Sequence, residues 1–279
     1  MSKAAPVIIT ASDPLAPPPL PDASAHWALF LDVDGTLVDF ADDPLSVRPG
    51  TSLLALLHAL HHSLGGALAL VSGREVKDLD RLFDNPGWAA AGLHGLQVRH
   101  ADGTRHDVRV DPAHQARMRA AVHELAARFD GVQVEDKQVA IALHCRHDPL
   151  QLPALQEAAR ILLPRLPGYE LQPGHRVLEF KPAGMDKGHA ITELMRRAPF
   201  TGRRPVYLGD DLTDEHAFDA VNRQHGLSVR IGSREPTLAG FTLPDPAAAE
   251  TWLARVMHAL PHGAHTHDPT TRGNPHPES

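Results

Sequence analysis

The sequence predicts an α/β fold: a doubly wound parallel-sheet core with a second, smaller α/β domain inserted into it. Three observations carry that prediction. Short apolar runs alternate with helical stretches, the signature of strand–helix–strand units. Between residues 97 and 181 the rhythm changes to paired strands with helices after them. The chain also has 279 residues, 42% of them hydrophobic, enough for one large core or two smaller ones.

In chain order, WALFLDVD (27–34), GALALVS (66–72), WAAAGLHG (88–95), RPVYLGDD (204–211) and LSVRIG (227–232) read as buried strands. Each is a near-continuous apolar run, as expected where helices cover both faces of a sheet. Segments 50–64, 74–83, 187–197 and 214–223 read as helices between or beside them. The inserted region opens with QVRHADGTRHDV, where Asp102-Gly103 between two candidate strands is a strong hairpin signal. A helix over 111–129, the stretch VQVEDKQVAIALHCR, a helix near 149–163 and YELQPGHRVLEFK follow. The expected division is a disordered Ala/Pro leader at 1–25, a core from 26–96 and 182–258, the inserted domain at 97–181, and a disordered His/Pro-rich tail at 259–279.

Strand side chains alternate between faces, so the inserted sheet can be read in advance. Val139, Ile141, Leu143 and Cys145 share a core face, leaving His144 and Arg146 on the other. If the strands lie side by side, Glu135, Lys137, His144, Arg146 and Glu179 stand on one polar face. A merely solvated face accounts for the same pattern.

Composition excludes several classes. A formal charge of −7 without a long Lys/Arg run provides no electrostatic footprint for nucleic acid or an anionic membrane surface. No segment approaches the roughly 20 apolar residues of a membrane span, and the amino-terminal stretch lacks the apolar run of a secretory signal. Cys145 is the single cysteine, which rules out an internal disulfide and suits a reducing compartment. The expectation is a cytoplasmic protein, a monomer, with no nucleic-acid or membrane partner.

Chemistry concentrates where strands end, which is where ligands bind a doubly wound sheet. Asp32 and Asp34 close the first apolar run two residues apart, and two neighbouring carboxylates call for a cation or a shared proton. Gly35 allows close backbone approach to an anion, and Thr36 adds a hydroxyl donor. Ser72, Gly73 and Arg74 occupy a strand-to-helix turn suited to a phosphate, although ordinary helix capping explains them equally well. Asp210 and Asp211 add negative charge at another strand end, whereas Asp214 and Glu215, in a first helical turn, are explained by the helix dipole. Oxygen-only ligands suit Mg2+, which keeps waters and accepts a phosphate oxygen. Lys187 stands at a helix start, against the dipole, as though held there by carboxylates and phosphate.

Taken together, Asp32-x-Asp34-Gly-Thr, Ser72, Lys187 and Gly209-Asp210-Asp211 resemble, in order, the four motifs of the haloacid dehalogenase (HAD) superfamily. Within it, LDVDGTL, VSGR, GLHG, VEDKQVAIALHCR, LEFKPAGMDKG and GDDLTDEHAF look like trehalose-6-phosphate phosphatases, over roughly residues 27–255. The resemblance implies a HAD-like Rossmannoid core with the insert as a cap. It implies that Asp32 attacks phosphorus to form an aspartyl-phosphate, and that Asp34 protonates the leaving sugar oxygen and then deprotonates water. The expected Mg2+ ligands are Asp32, Asp34 through its backbone carbonyl, Asp210 and Asp211. Ser72 and Lys187 would hold the phosphoryl oxygens, with Gly35, Thr36 and Arg74 close by. Glu135, Lys137 and Glu179 would contact the sugar, with His94, His144 and Arg146 as further candidates; a local turn role explains His94 as readily. Rival readings are a capped phosphatase for sucrose-phosphate or a mannosyl-phosphate, a phosphomutase, and a non-catalytic phosphosugar-binding protein.

Overall fold

The computed structural model describes residues 15–22, 24–39, 47–84, 87–145, 147–174 and 176–260. The elements run β1 (Trp27–Leu31), α1 (Thr51–Ser63), β2 (Leu68–Val71), α2 (Val76–Phe83), β3 (Ala89–Gly92), β4 (Gln97–Arg99) and β5 (Arg105–Asp107). Then come α3 (Pro112–Ala126), β6 (Gln133–Asp136), β7 (Ile141–His144), α4 (Leu152–Leu162), β8 (Tyr169–Gly174) and β9 (Val177–Pro182). The chain closes with α5 (Lys187–Leu194), β10 (Arg204–Gly209), α6 (Asp214–Arg223), β11 (Leu227–Ile231), β12 (Phe241–Leu243) and α7 (Pro246–Ala259).

Eight strands form the main sheet in the order β12-β11-β10-β1-β2-β3-β4-β5. It is parallel from β12 to β3 and antiparallel from β3 to β5. The order reverses at β1, which lies between β10 and β2, so the carboxyl ends of these three strands share one crevice. β1, β2 and β3 are buried along their whole length. Helix α1 packs with α7 and α5 with α6, the two layers expected of right-handed crossovers.

A second sheet, β6-β7-β9-β8, is antiparallel throughout. Ile141, Leu143, Leu178 and Phe180 line one of its faces and form a separate core with Met118, Val122 and Leu155 from α3 and α4. The register sets Glu135 opposite Ala142, Ala142 opposite Glu179 and Glu179 opposite Gln172, one polar row with an alanine between two carboxylates.

Three expectations need correction. The hairpin at 97–107, assigned above to the insert, pairs with β3 and extends the main sheet instead. Its turn signal fixes only that β4 and β5 pair with each other, while buried Val98 joins the main core. The leader is not disordered up to residue 25: Trp252 donates its indole N–H to the Pro18 carbonyl at 3.2 Å, Thr242 donates to Ala16 at 3.1 Å, and Leu15, Leu20 and Ala25 pack on the core. β12 and α7 were not anticipated at all, although Asp245 caps α7 in front of a proline, a recognisable start signal. Of the expected tail, Ala259 ends α7 and Leu260 is buried, while residues 261–279, like 1–14, lie outside the described residues.

Candidate active site

Asp32 follows the last residue of β1 and still joins the ladder, donating its backbone N–H to Leu208 of β10 at 3.0 Å. Its carboxylate is buried and stands 3.0 Å from the Lys187 ammonium. The chain then turns through Val33–Val38, with Gly35 at φ 80°. That turn separates the two carboxylates. Asp34 faces Arg74, which donates to it from Nε at 2.7 Å and from Nη2 at 2.6 Å. Each aspartate therefore has its own cation, and Arg74, expected near phosphoryl oxygens, clamps Asp34.

Lys187 opens α5 behind its N-cap, Asp186, which accepts the His189 N–H at 2.8 Å. The buried ammonium reaches Asp32 and, at 2.6 Å, Asp214. Burial works against its charge, but the Asp214 and Asp32 carboxylates outweigh it and hold its pKa well above the usual lysine value.

Asp214 is fully buried at the start of α6, where sequence reasoning left it to the dipole. Its Oδ1 accepts from Lys187 at 2.6 Å and from the Tyr207 hydroxyl at 2.5 Å; its Oδ2 accepts the backbone N–H groups of Asp210 at 2.8 Å and Asp211 at 2.9 Å. The acidic loop folds around this one carboxylate. It can do so because residue 209 is glycine: a Cβ there would sit 2.4 Å from the Asp214 carboxyl carbon. Asp214 and Tyr207 are the site residues that sequence reasoning missed.

Carboxylate oxygens of Asp32, Asp210 and Asp214 lie within 4.8 Å of one another. Burial, reinforced by the Asp214, Asp210 and Asp211 charges and opposed by Lys187, pushes Asp32 well above the usual carboxylate range. Burial with Asp214 and Asp211 lifts Asp210 to about 7. A cluster with more negative than positive charge, made of hard oxygen donors, fits a divalent cation. Because Asp214 already serves four donors, Asp32 and Asp210 are the carboxylates free to turn toward one, and Thr36 Oγ1 steadies Asp210 at 3.1 Å. Asp211, named above as a ligand, is not in the cluster: its Oδ1 accepts the backbone N–H of Thr213 at 2.8 Å and its hydroxyl at 2.6 Å. The Asp34 carboxylate is likewise occupied, by Arg74.

Ser72, almost fully buried, follows β2, and its hydroxyl accepts the Arg74 N–H at 3.2 Å. His94 lies over Gly73 so closely that a Cβ on Gly73 would be 2.7 Å from its ring. Its Nε2 is 3.4 Å from Glu179 Oε2. Lys137 stands 3.7 Å from the same oxygen and 4.0 Å from Glu135, and donates to the Gly73 carbonyl at 3.3 Å. Glu135 meets His144 at 2.8 Å. Burial opposes the charge on Glu179, but Lys137 and His94 hold its pKa down at about 2. Among the described residues, Glu179 Oε1 and His94 Nδ1 are buried without a hydrogen-bond partner. The polar row of the second sheet thus meets the main sheet at the turn beside Ser72. Arg146 lies outside the described residues.

Against known proteins, the model of the trehalose-phosphatase family matches residues 30–247. The chain belongs to the trehalose-phosphatase family. Among curated relatives of that family, it is 39% identical over 240 residues to the trehalose-6-phosphate phosphatase of Escherichia coli, covering 86% of this chain and 90% of the relative. It is 44% identical over 238 residues to the probable trehalose-phosphate phosphatase of Sinorhizobium fredii, covering 84% and 88%. The fold matches that of the C-terminal domain of the C. albicans trehalose-6-phosphate phosphatase, at TM-score 0.73 and 20% identity over 84% of this chain and 93% of that one. That likeness shows the fold: an α/β core on a mostly parallel sheet with a separate, small antiparallel sheet. Among the described residues no helix is long and apolar enough to cross a membrane.

Proposed function

We propose that the chain is a Mg2+-dependent phosphatase that hydrolyses trehalose 6-phosphate to trehalose and inorganic phosphate through an aspartyl-phosphate. The observation that carries this reading is the buried Asp32 carboxylate at the crevice, held 3.0 Å from Lys187 and clustered with Asp210. Family membership supports the substrate class.

In this reading an Asp32 oxygen attacks phosphorus, and the bond from phosphorus to the sugar oxygen breaks. Asp34 gives its proton to that oxygen, releasing trehalose. Water then attacks phosphorus, Asp34 takes a proton from it, and the bond to Asp32 breaks to release phosphate. Lys187 and Ser72 hold the phosphoryl oxygens, and Lys187 keeps Asp32 oriented. Arg74 grips Asp34 through two hydrogen bonds and so orients its carboxyl group for the proton transfers. Mg2+, held by Asp32, the Asp34 carbonyl and Asp210, would supply charge neutralisation at the phosphoryl group.

The unit built on β6–β9 acts as the cap in this proposal, with Glu135, Lys137 and Glu179 recognising sugar hydroxyls and His94, His144 and Arg146 assisting. A cytoplasmic monomer belongs to the same reading; the lone cysteine suits a reducing compartment.

The test is phosphate release from trehalose 6-phosphate, sucrose 6-phosphate and glucose 6-phosphate, with Mg2+, with EDTA and for Asp32→Asn. Mg2+-dependent release from the trehalose ester alone, abolished by the substitution, is expected. Preference for another ester would discard the sugar assignment, and no release from any ester would favour a phosphosugar-binding protein.

A further inference from the structure

Asp210 and Asp211 are held by their backbones from two sides. Asp214 takes both of their N–H groups, as described above. On the opposite side Arg234, in the turn after β11, reaches both of their carbonyls: Nε donates to Asp210 at 3.3 Å and Nη2 donates to Asp211 at 3.0 Å. The same Nη2 pairs with Glu215 Oε1, whose partner oxygen accepts the Leu238 N–H at 2.6 Å. Nη1 donates to the Pro236 carbonyl at 3.1 Å. Arg234 is itself seated by a second arginine. The buried Arg230 guanidinium donates from Nη1 to the Arg234 carbonyl at 2.5 Å and to Glu235 Oε1 at 2.5 Å, and from Nε to the Gly232 carbonyl at 3.1 Å.

Every backbone polar group of the two aspartates is thus paired, which leaves the Asp210 side chain little freedom except rotation toward Thr36 and Asp32. A planar guanidinium spans two successive carbonyls and a carboxylate from nitrogens fixed in one plane, whereas an ammonium gathers its three donors on one atom at the end of a flexible stem.

We propose that Arg234 is a positioning residue for the divalent cation: by holding the Asp210 and Asp211 carbonyls it presets the Asp210 carboxylate for metal binding. This rests on the reading that Asp32 and Asp210 hold the cation. Geometry and charge make opposite predictions here. As a nearby positive charge alone, Arg234 would oppose a cation, and removing it would tighten binding. As a clamp, its loss weakens binding, because the carboxylate must be ordered when the metal arrives; losing an orienting partner of a metal ligand costs about 10-fold or more in affinity.

The experiment is a calorimetric Mg2+ titration of the wild-type protein, Arg234→Met, Arg234→Lys and Asp210→Asn, with thermal unfolding in EDTA to establish that each is folded. Both Arg234 variants should raise the Mg2+ dissociation constant about 10-fold or more. They should raise the Mg2+ concentration for half-maximal activity in parallel, with the KM for the sugar ester at saturating Mg2+ unchanged. Tighter binding by Arg234→Met with Arg234→Lys unchanged would reduce Arg234 to a charge and overturn the proposal. Wild-type affinity in both variants, or a loss confined to KM for the ester, would also overturn it. Should Arg234→Met not fold, Arg234→Lys decides alone, since it keeps the charge and loses only the fork. No heat from wild-type protein, or equal heat from Asp210→Asn, would instead refute the cation site on which the inference stands.

Discussion

Asp34 and Arg74 meet through two parallel hydrogen bonds, 2.7 Å from Nε to Oδ2 and 2.6 Å from Nη2 to Oδ1. A two-point contact fixes the plane of the carboxylate as well as its position. If Arg74 serves Asp34, replacing it by methionine damages proton delivery to the leaving group more than phosphoryl binding. Arg74→Met should lower kcat on trehalose 6-phosphate by about 100-fold, the lower end of what a positioned acid contributes. On p-nitrophenyl phosphate, whose leaving group needs no proton, the loss should be under about 10-fold. Equal losses on both esters would move Arg74 from Asp34 to the phosphoryl group.

Asp214 and Asp211 lie in the same loop and differ in what they hold. Asp214 neutralises Lys187 and anchors two backbone N–H groups, whereas Asp211 caps Thr213. Breaking a buried pair leaves an uncompensated charge and costs about 3–5 kcal/mol, against about 1 kcal/mol for a lost cap. Asp214→Asn should therefore be far more destabilising than Asp211→Asn in urea unfolding. Similar midpoints for the two variants would contradict the arrangement around Asp214.

Glu179 supplies a pH dependence with a definite sign. Its folded pKa, about 2, lies below the ordinary 4.5, so its ionised form stabilises the fold at pH values above the ordinary value. That contribution is lost as pH falls from 4.5 towards 2. Urea unfolding of wild type and Glu179→Gln should differ by a constant amount between about pH 5 and 7, and the two should converge below about pH 4.5. A gap that stays constant down to about pH 3 would mean that the Lys137 and His94 contacts do not set the titration.

If the β6–β9 unit reads the sugar, as proposed, recognition is separable from chemistry. Glu135→Ala combined with Lys137→Ala should cut turnover of trehalose 6-phosphate on the order of 100-fold or more while leaving slow turnover of a small aryl phosphate. Equal loss on both substrates would remove the second sheet from sugar selection.

Much of this was legible in the sequence because the strands that end at the crevice are buried on both faces and are followed by polar or charged residues. Asp32, Ser72, Lys187 and Asp210 each follow an apolar run or break a helix-dipole rule, and the fold does bring them to the β1 crevice. The pairings within the site were less legible, since they depend on turns. Asp211 and Asp214 are equally acidic in sequence. Which of them meets Lys187 is decided by the course of the chain after Gly209, where a missing Cβ admits the Asp214 carboxylate. The β4–β5 hairpin was misplaced for a related reason: a two-strand turn signal says nothing about which sheet edge the pair joins, and β5 is exposed throughout.

The Lys137 contact with the Gly73 carbonyl also bears on how strictly the crevice could discriminate among sugars. An ammonium that already has a protein acceptor loses little when a ligand lacks the matching hydroxyl, since it simply keeps its internal bond. Glu179 Oε1 has no such fallback: it is buried and unpartnered, so a ligand that places no donor there leaves an existing desolvation penalty unrelieved. Tolerance would then reside with the lysine and stringency with the glutamate, two adjoining charges of opposite sign acting as a permissive and an exacting reader of the same ring.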